Sequence, residues 1–210
     1  MPDLSLYLVT DRGLARGRST AEIVRAAVAG GVTCVQLREK NGPTRLFVEE
    51  ARLVRDVLVG TGVPLIINDR VDVALAVGAD GLHLGQTDMS LADARAIAPG
   101  LIIGVSVENL DQALLAQAQG ADYLGLSPVF STPTKTDTAP PLGLDGVALI
   151  RSRVSVPMVG IGGIGPGNAA QVLRAGCDGV AVVSAIVAAS DPQAAARQLK
   201  TIIQRTKERS

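Results

Sequence analysis

Eight short apolar runs, each followed by a helix-like stretch, constrain this chain more than any other feature of it. They are LSLYLVT at 4–10, TCVQL at 33–37, PLIIN at 64–68, GLHLG at 81–85, LIIGVSV at 101–107, DYLGLS at 122–127, PMVGIGG at 157–163 and GVAVVS at 179–184. Between them lie Ala-, Arg- and Glu-rich segments such as TAEIVRAAVAGG and RLFVEEARLVRDVLVGTG, whose apolar spacing predicts helices laid against a sheet. Several end in glycine before the next run, at Gly30-Gly31, Gly60, Gly78, Gly120 and Gly176, as helix C-termini do. Strands joined through helices run parallel, because a hairpin cannot connect them, and continuously apolar strands are covered on both faces. Eight such units in 210 residues predict an α/β fold, a (β/α)8 TIM barrel forming a single domain over 1–210. The hydrophobic fraction, 47%, suits one well-buried core.

One motif points to the competing open, doubly wound sheet. Gly160-Ile161-Gly162-Gly163-Ile164-Gly165 fits G-x-G-x-x-G between a strand and a helix. A dinucleotide site expects an acidic residue at the end of the next strand, but Asp178 stands at its start and the strand ends in Val183-Ser184. In the seventh strand-to-helix turn of a barrel, the same glycines would bare backbone N–H groups at a helix N-terminus, where this fold often holds phosphate.

A barrel brings the C-terminal ends of its strands to one rim, and the polar residues of this chain gather at those ends. Gln36, Arg38 and Lys40 follow the second run, Asn68 and Asp69 the third, and Gln86 and Asp88 the fourth. Ser106 lies in the fifth, Ser131-Thr132-Pro133-Thr134-Lys135 follow the sixth, Gly162-Gly163 the seventh and Ser184 the eighth. Within VQLREK, side-chain alternation puts Gln36, Arg38 and Lys40 on one face and Val35 and Leu37 on the other, so one face meets an anion or open water. Arginine forks onto phosphate oxygens and lysine acts as a point charge. Asp69 and Asp88 each have a plainer reading, as caps of helices starting near Arg70 and Ser90. As a pair beside cations they form an oxygen-ligand site suited to Mg²⁺, which takes one or two carboxylates plus phosphate oxygens and water.

His83 is the only histidine and sits inside GLHLG, which favours a packed, hydrogen-bonded ring over a general base. No Ser-His-Asp set can be built without another histidine. The stretch 130–143, FSTPTKTDTAPPLG, is the longest without apolar periodicity and reads as a lid over an anion.

Twenty basic residues balance twenty acidic ones, so no overall field holds a nucleic acid or an acidic membrane, and any anion site is local. Cys34 and Cys177 lack the spacing of a zinc or redox motif and read as small buried apolar residues of a reducing compartment. With no basic leader and no apolar run of about 18 residues, the expectation is a soluble cytoplasmic protein. Whether copies associate into a homo-oligomer is left open.

The segments YLVTDR, GGVTCVQLREK, LIINDRVDVALAVGADGLHLGQTDM, IGVSV, GADYLGLSPVFSTPTKTD, GIGGI and GVAVVSAI together resemble the thiamine-phosphate synthase family over nearly the whole chain. The resemblance implies a (β/α)8 transferase that joins 4-amino-2-methyl-5-hydroxymethylpyrimidine diphosphate to 4-methyl-5-(2-hydroxyethyl)thiazole phosphate. Its products would be thiamine monophosphate and pyrophosphate, with Mg²⁺ as cofactor. Carried over, the run Gln36, Leu37, Arg38, Glu39 and Lys40 would bind the pyrimidine diphosphate with Asn68, Ser106 and Lys135. Arg38, Lys40, Ser106 and Lys135 would be catalytic, and Asp69 and Asp88 would ligate the metal. Thr132, Pro133, Thr134, Gly163, Val183 and Ser184 would bind the thiazole phosphate. The lid departs from the family's GPVFPT-x-TK at Ser127, Ser131 and Pro133. A related barrel, the thiazole tautomerase, resembles the chain less, since its lineage carries a histidine just after strand five, where this chain has Ser106-Val107-Glu108. A regulator that binds thiazole phosphate without turning it over is the other alternative.

Overall fold

The computed structural model describes residues 1–131 and 140–209. Each apolar run contains one strand: β1 (Leu6–Val9), β2 (Cys34–Leu37), β3 (Leu65–Asn68), β4 (Gly81–Leu84), β5 (Ile102–Val107), β6 (Tyr123–Leu126), β7 (Met158–Gly160) and β8 (Gly179–Val182). They close into a barrel in chain order, each parallel to the next, with β8 returning to β1 through Leu6↔Val180. Around it lie α1 (Thr20–Ala29), α2 (Thr44–Leu58), α3 (Val71–Val77), α4 (Leu91–Ile97), α5 (Leu110–Ala118), α6 (Gly143–Arg151), α7 (Ala169–Arg174), the short α8 (Ser184–Val187) and α9 (Pro192–Lys207). The fold is the (β/α)8 barrel expected from the strand–helix alternation.

Strand parity divides the core into two shells. Val35, Leu37, Leu65, Ile67, Leu82, Leu84, Leu124 and Leu126 face outward and pack with the helices in one continuous cluster. Tyr7, Val9, Cys34, Ile66, Tyr123, Val159 and Ala181 form a smaller cluster inside the barrel. Gln36, Asn68 and His83, at inward positions, are buried as well. The lumen holds two tyrosines only because β5 carries Gly104: a Cβ there would sit 2.1 Å from the Tyr123 ring. Polar groups therefore floor the upper half of the barrel and leave space above them.

The helix ends follow their glycines. Gly78 closes α3 in the left-handed region, φ 62°, donating its N–H to the carbonyls of Ala74 and Leu75. Gly31, Gly60, Gly120 and Gly176 also take positive φ just past their helices. At the opposite rim, residues that look like turn formers have a further job. Asp80 accepts the N–H of Leu65 at 2.8 Å, Asp122 that of Ile103 at 2.7 Å, and Asp178 that of Met158 at 2.8 Å. Each thus ties its own strand's start to the start of the preceding strand. No helix among the described residues is long and apolar enough to cross a membrane.

Candidate active site

A cavity of about 870 Å³ opens at the C-terminal ends of the strands, within the range of small-molecule sites. Of the residues singled out in the sequence, Gln36, Arg38, Lys40, Asn68, Asp69, Asp88, Ser106, Gly163, Val183 and Ser184 all line it. Thr132, Pro133, Thr134 and Lys135 lie outside the described residues. Leu37 does not line the cavity: its parity turns the side chain into the outer, helix-facing shell, so only its backbone stands near the site. Glu39 likewise faces away from the cavity, where its Oε1 accepts the N–H groups of Asn41 and Gly42 at 2.9 and 3.1 Å. Its Oε2 lies 3.4 Å from Arg12. The glutamate shapes the turn that carries Arg38 and Lys40.

Both cations have carboxylate neighbours. Arg38 lies 3.6 Å from Asp11, a separation loose enough to yield to a ligand, and its backbone N–H is held by Thr10 at 3.1 Å. Lys40 is paired closely with Asp69. Asp69 adopts φ 63°, which places it in the left-handed region that aspartate tolerates better than most residues. That conformation swings its carboxyl away from α3, whose cap is Arg70 with no side-chain bond, and toward Lys40 and Asp88. The capping reading of Asp69 therefore fails. Ser90 caps α4, and Asp88 instead accepts the Gly85 N–H at 2.7 Å.

The two carboxyl groups are close enough to act on each other, and their proton affinities separate. Burial raises Asp69, the contact with Asp88 raises it further, and Lys40 opposes both. Burial also acts to raise Asp88, but the bonds from Asp69 and from the Gly85 N–H, with the field of Lys40, outweigh it and bring Asp88 below its ordinary value. Two neighbouring carboxyl groups on one cavity are the oxygen-donor set that a hard divalent cation takes. Charge balance points the same way. Among the described lining residues, Arg38 and Lys40 face Asp11, Asp69, Asp88 and Glu108, two cations against four carboxyl groups. A rim of that sign accepts a polyphosphate only together with additional positive charge.

Beneath this rim lies a polar row, buried except at Ser106, whose two tyrosines the sequence reading passed over. Gln36 Nε2 donates to the Tyr7 hydroxyl at 3.0 Å, which meets the Tyr123 hydroxyl at 2.8 Å. Tyr123 meets His83 Nδ1 at 2.9 Å, and His83 Nε2 meets Ser106 Oγ at 2.8 Å. Burial holds the His83 pKa down to about 4, against a smaller opposing effect of Asp88, so the ring is neutral at pH 7. The same burial pushes both tyrosines well above their usual range. His83 is thus the packed, hydrogen-bonded residue expected, and it also lines the cavity. Tyr7 and Tyr123 carry a signal that parity could have revealed: each alternates with the outward leucines of its strand. Asn68, 7% exposed, finds no acceptor for its Nδ2 among the described residues. A buried donor without a partner, on a cavity wall, asks for an oxygen from a ligand.

The opposite wall is built by Gly162 to Gly165 and by Val183 to Ala185. Here the structure departs from the expectation of a glycine run opening directly into a helix. Gly162 and Gly163, at φ 101° and 63°, turn the chain sharply, and α7 begins only at Ala169, beyond its cap Asn168. Asn168 Oδ1 takes the Gly165 N–H at 2.9 Å, and its Nδ2 donates to the Gly163 carbonyl at 2.9 Å. The glycines also let the segment after β6 approach. A Cβ on Gly163 would lie 2.7 Å from the Ser131 carbonyl oxygen, while Phe130 N–H bonds Gly162 O at 3.1 Å. Both roots of the 130–143 stretch are fixed: Leu142 and Gly143 donate to the carbonyls of Pro128 and Val129.

Comparison with known proteins identifies the family. A family model described as thiamine monophosphate synthase matches residues 6–186. A thiamine-phosphate synthase of Chloroflexus aurantiacus is 56% identical over 208 residues, covering 99% of this chain and 96% of the relative. One from Albidiferax ferrireducens is 55% identical over 201 residues, covering 95% and 92%. Among solved structures, a thiamine phosphate pyrophosphorylase from Pyrococcus furiosus superposes with a TM-score of 0.91 at 44% identity, covering 97% of each chain. With the family model spanning most of the chain and relatives above half identity across its length, this chain belongs to the thiamine-phosphate synthase family.

Proposed function

We propose that the chain joins an aminopyrimidine-methyl diphosphate to a thiazole phosphate at this cavity, releasing pyrophosphate and forming thiamine monophosphate. Membership in the family makes it a transferase acting on small molecules. The observation that carries the residue-level reading is the convergence on one cavity of Arg38, Lys40, Asp69, Asp88 and the Asn68 amide, whose Nδ2 has no partner among the described residues.

Cleavage of the carbon–oxygen bond leaves negative charge on the diphosphate, and the aminopyrimidine delocalises the positive charge left on its methylene carbon. Arg38 exchanges its loose contact with Asp11 for the phosphate oxygens, and Lys40 follows from Asp69. Asn68 donates from its Nδ2 to the same fragment. These groups meet more charge in the transition state than in the bound substrate, so they lower the barrier to departure. Asp69 and Asp88 fit Mg²⁺ by donor type and mutual contact, and the ion would add a divalent charge against the leaving oxygens. Gly163, Val183 and Ser184 border the space left for the thiazole phosphate, so the second substrate enters from the wall opposite the cations. The thiazole nitrogen is itself the nucleophile, and no strong base is required. That absence of demand suits a site whose only imidazole is neutral and fully engaged.

The test is product formation. Purified protein incubated with both substrates and Mg²⁺ is expected to yield thiamine monophosphate and pyrophosphate in equal amounts. Tight thiazole phosphate binding without pyrophosphate release in a single turnover would replace this reading by that of a non-catalytic binder.

A further inference from the structure

The row from Gln36 to Ser106 has a direction, and the direction follows from its ends. An amide Nε2 only donates, so the Tyr7 hydroxyl accepts from Gln36 and has its own proton to place. The strong acceptor within reach is the Tyr123 oxygen at 2.8 Å. Tyr123, already accepting, gives its proton to His83 Nδ1 at 2.9 Å. A ring whose Nδ1 accepts carries its proton on Nε2, and that N–H donates to Ser106 Oγ at 2.8 Å. The reverse order would make Tyr7 accept twice and leave its proton facing the Cys34 thiol, a weak acceptor. Every link but the last is buried, so no water competes for the intermediate protons. Hydrogen bonds in such a row polarise one another along its length.

We infer that Gln36, Tyr7, Tyr123 and His83 form a directed relay that fixes the histidine as its Nε2–H tautomer and frees the Ser106 hydroxyl proton to donate into the cavity. Because His83 donates to Ser106, it cannot take the serine's proton, and Ser106 acts as a hydrogen-bond donor to an anionic oxygen rather than as a nucleophile. That the oxygen belongs to the departing diphosphate rests on the reading under Proposed function. His83, Tyr123 and Tyr7 are positioning residues, acting on the substrate only through Ser106. Gln36 sits at the far end of the same row and also lines the cavity, so a ligand that engages its amide biases the donor at Ser106 across the barrel.

One histidine in 210 residues makes the experiment direct, since protein labelled with ¹⁵N-histidine has a single imidazole spectrum. The free wild-type protein near pH 7 is expected to show a protonated Nε2 and an unprotonated Nδ1. An Nδ1–H ring, or an equal mixture, would overturn the relay. In Tyr123→Phe the Nδ1 loses its donor. The tautomers are then expected to mix, and the single-turnover rate to fall by about tenfold or more, with KM for each substrate changing less than about threefold. An unaltered tautomer with an unaltered rate in that variant contradicts the proposal. His83→Gln keeps an N–H near the Nε2 position and is expected to retain activity within about tenfold, whereas His83→Leu loses about 100-fold. Equal activities of the two would count against it. The spectrum of the wild type needs no variant to fold and no substrate. If the wild type makes no thiamine monophosphate, the reaction reading fails while the tautomer still decides the relay.

Discussion

Asn68 and His83 show how single residues in this lumen trade stability for a site. The Asn68 amide is buried with its Nδ2 unpartnered among the described residues, a cost of about 1–3 kcal/mol for such a group. Removing it relieves that cost, so Asn68→Ala is expected to leave stability within about 1 kcal/mol of wild type while slowing diphosphate release by about tenfold or more. Urea melts and single-turnover rates on the same preparation check this; large destabilisation with normal turnover would make Asn68 a structural residue instead. His83 carries a pH signature. Its folded pKa of about 4 lies below the ordinary 6.5, so the unfolded chain binds the extra proton first as pH falls. The histidine's contribution is fully present above about pH 6.5 and is lost as pH falls toward 4, amounting to about 3 kcal/mol. Melts at pH 7 and pH 4.5 should therefore converge more in His83→Gln than in wild type, and parallel losses in both would refute the assignment.

At the scale of elements, the strands are positioned from below by aspartates and from above by glycines. Asp122 is the clearest case, since its Oδ2 accepts both the Ile103 N–H and an Arg95 N–H at 2.7 Å. Asp122→Ala strands the buried start of β5 without a partner, with an expected loss of about 1–3 kcal/mol in urea unfolding and little change in KM. A KM effect exceeding the stability loss would place Asp122 in the site rather than beneath it. The strand runs and their glycine-ended helices were readable because parity and helical period are local properties of the chain. The job of Asp80, Asp122 and Asp178 was not, because each acts on a neighbouring strand 15 to 20 residues away in sequence. Asp69 kept two readings in the sequence for a similar reason. A capping aspartate and one rotated by a positive φ into the cavity look alike in sequence, and only the contact with Lys40 and Asp88 separates them.

Over the whole molecule, closure of the sheet is what makes distant polar residues neighbours. Residues from Tyr7 to Ala185 meet on one cavity because parallel strands end together, which also made the rim predictable once the barrel was. Less legible was the balance of charge there. Among the described residues the rim has more carboxyl groups than cations, and the reading under Proposed function has it rely on added positive charge to hold a diphosphate. That reliance is the central claim, and single-turnover pyrophosphate release measured against Mg²⁺ concentration tests it most directly. Wild type is expected to show a saturable rise from a near-zero rate. Asp69→Asn combined with Asp88→Asn should lower the plateau by about 100-fold or more and shift the rise to higher Mg²⁺. Release at the same rate without Mg²⁺, or a double variant that matches wild type, would contradict the account.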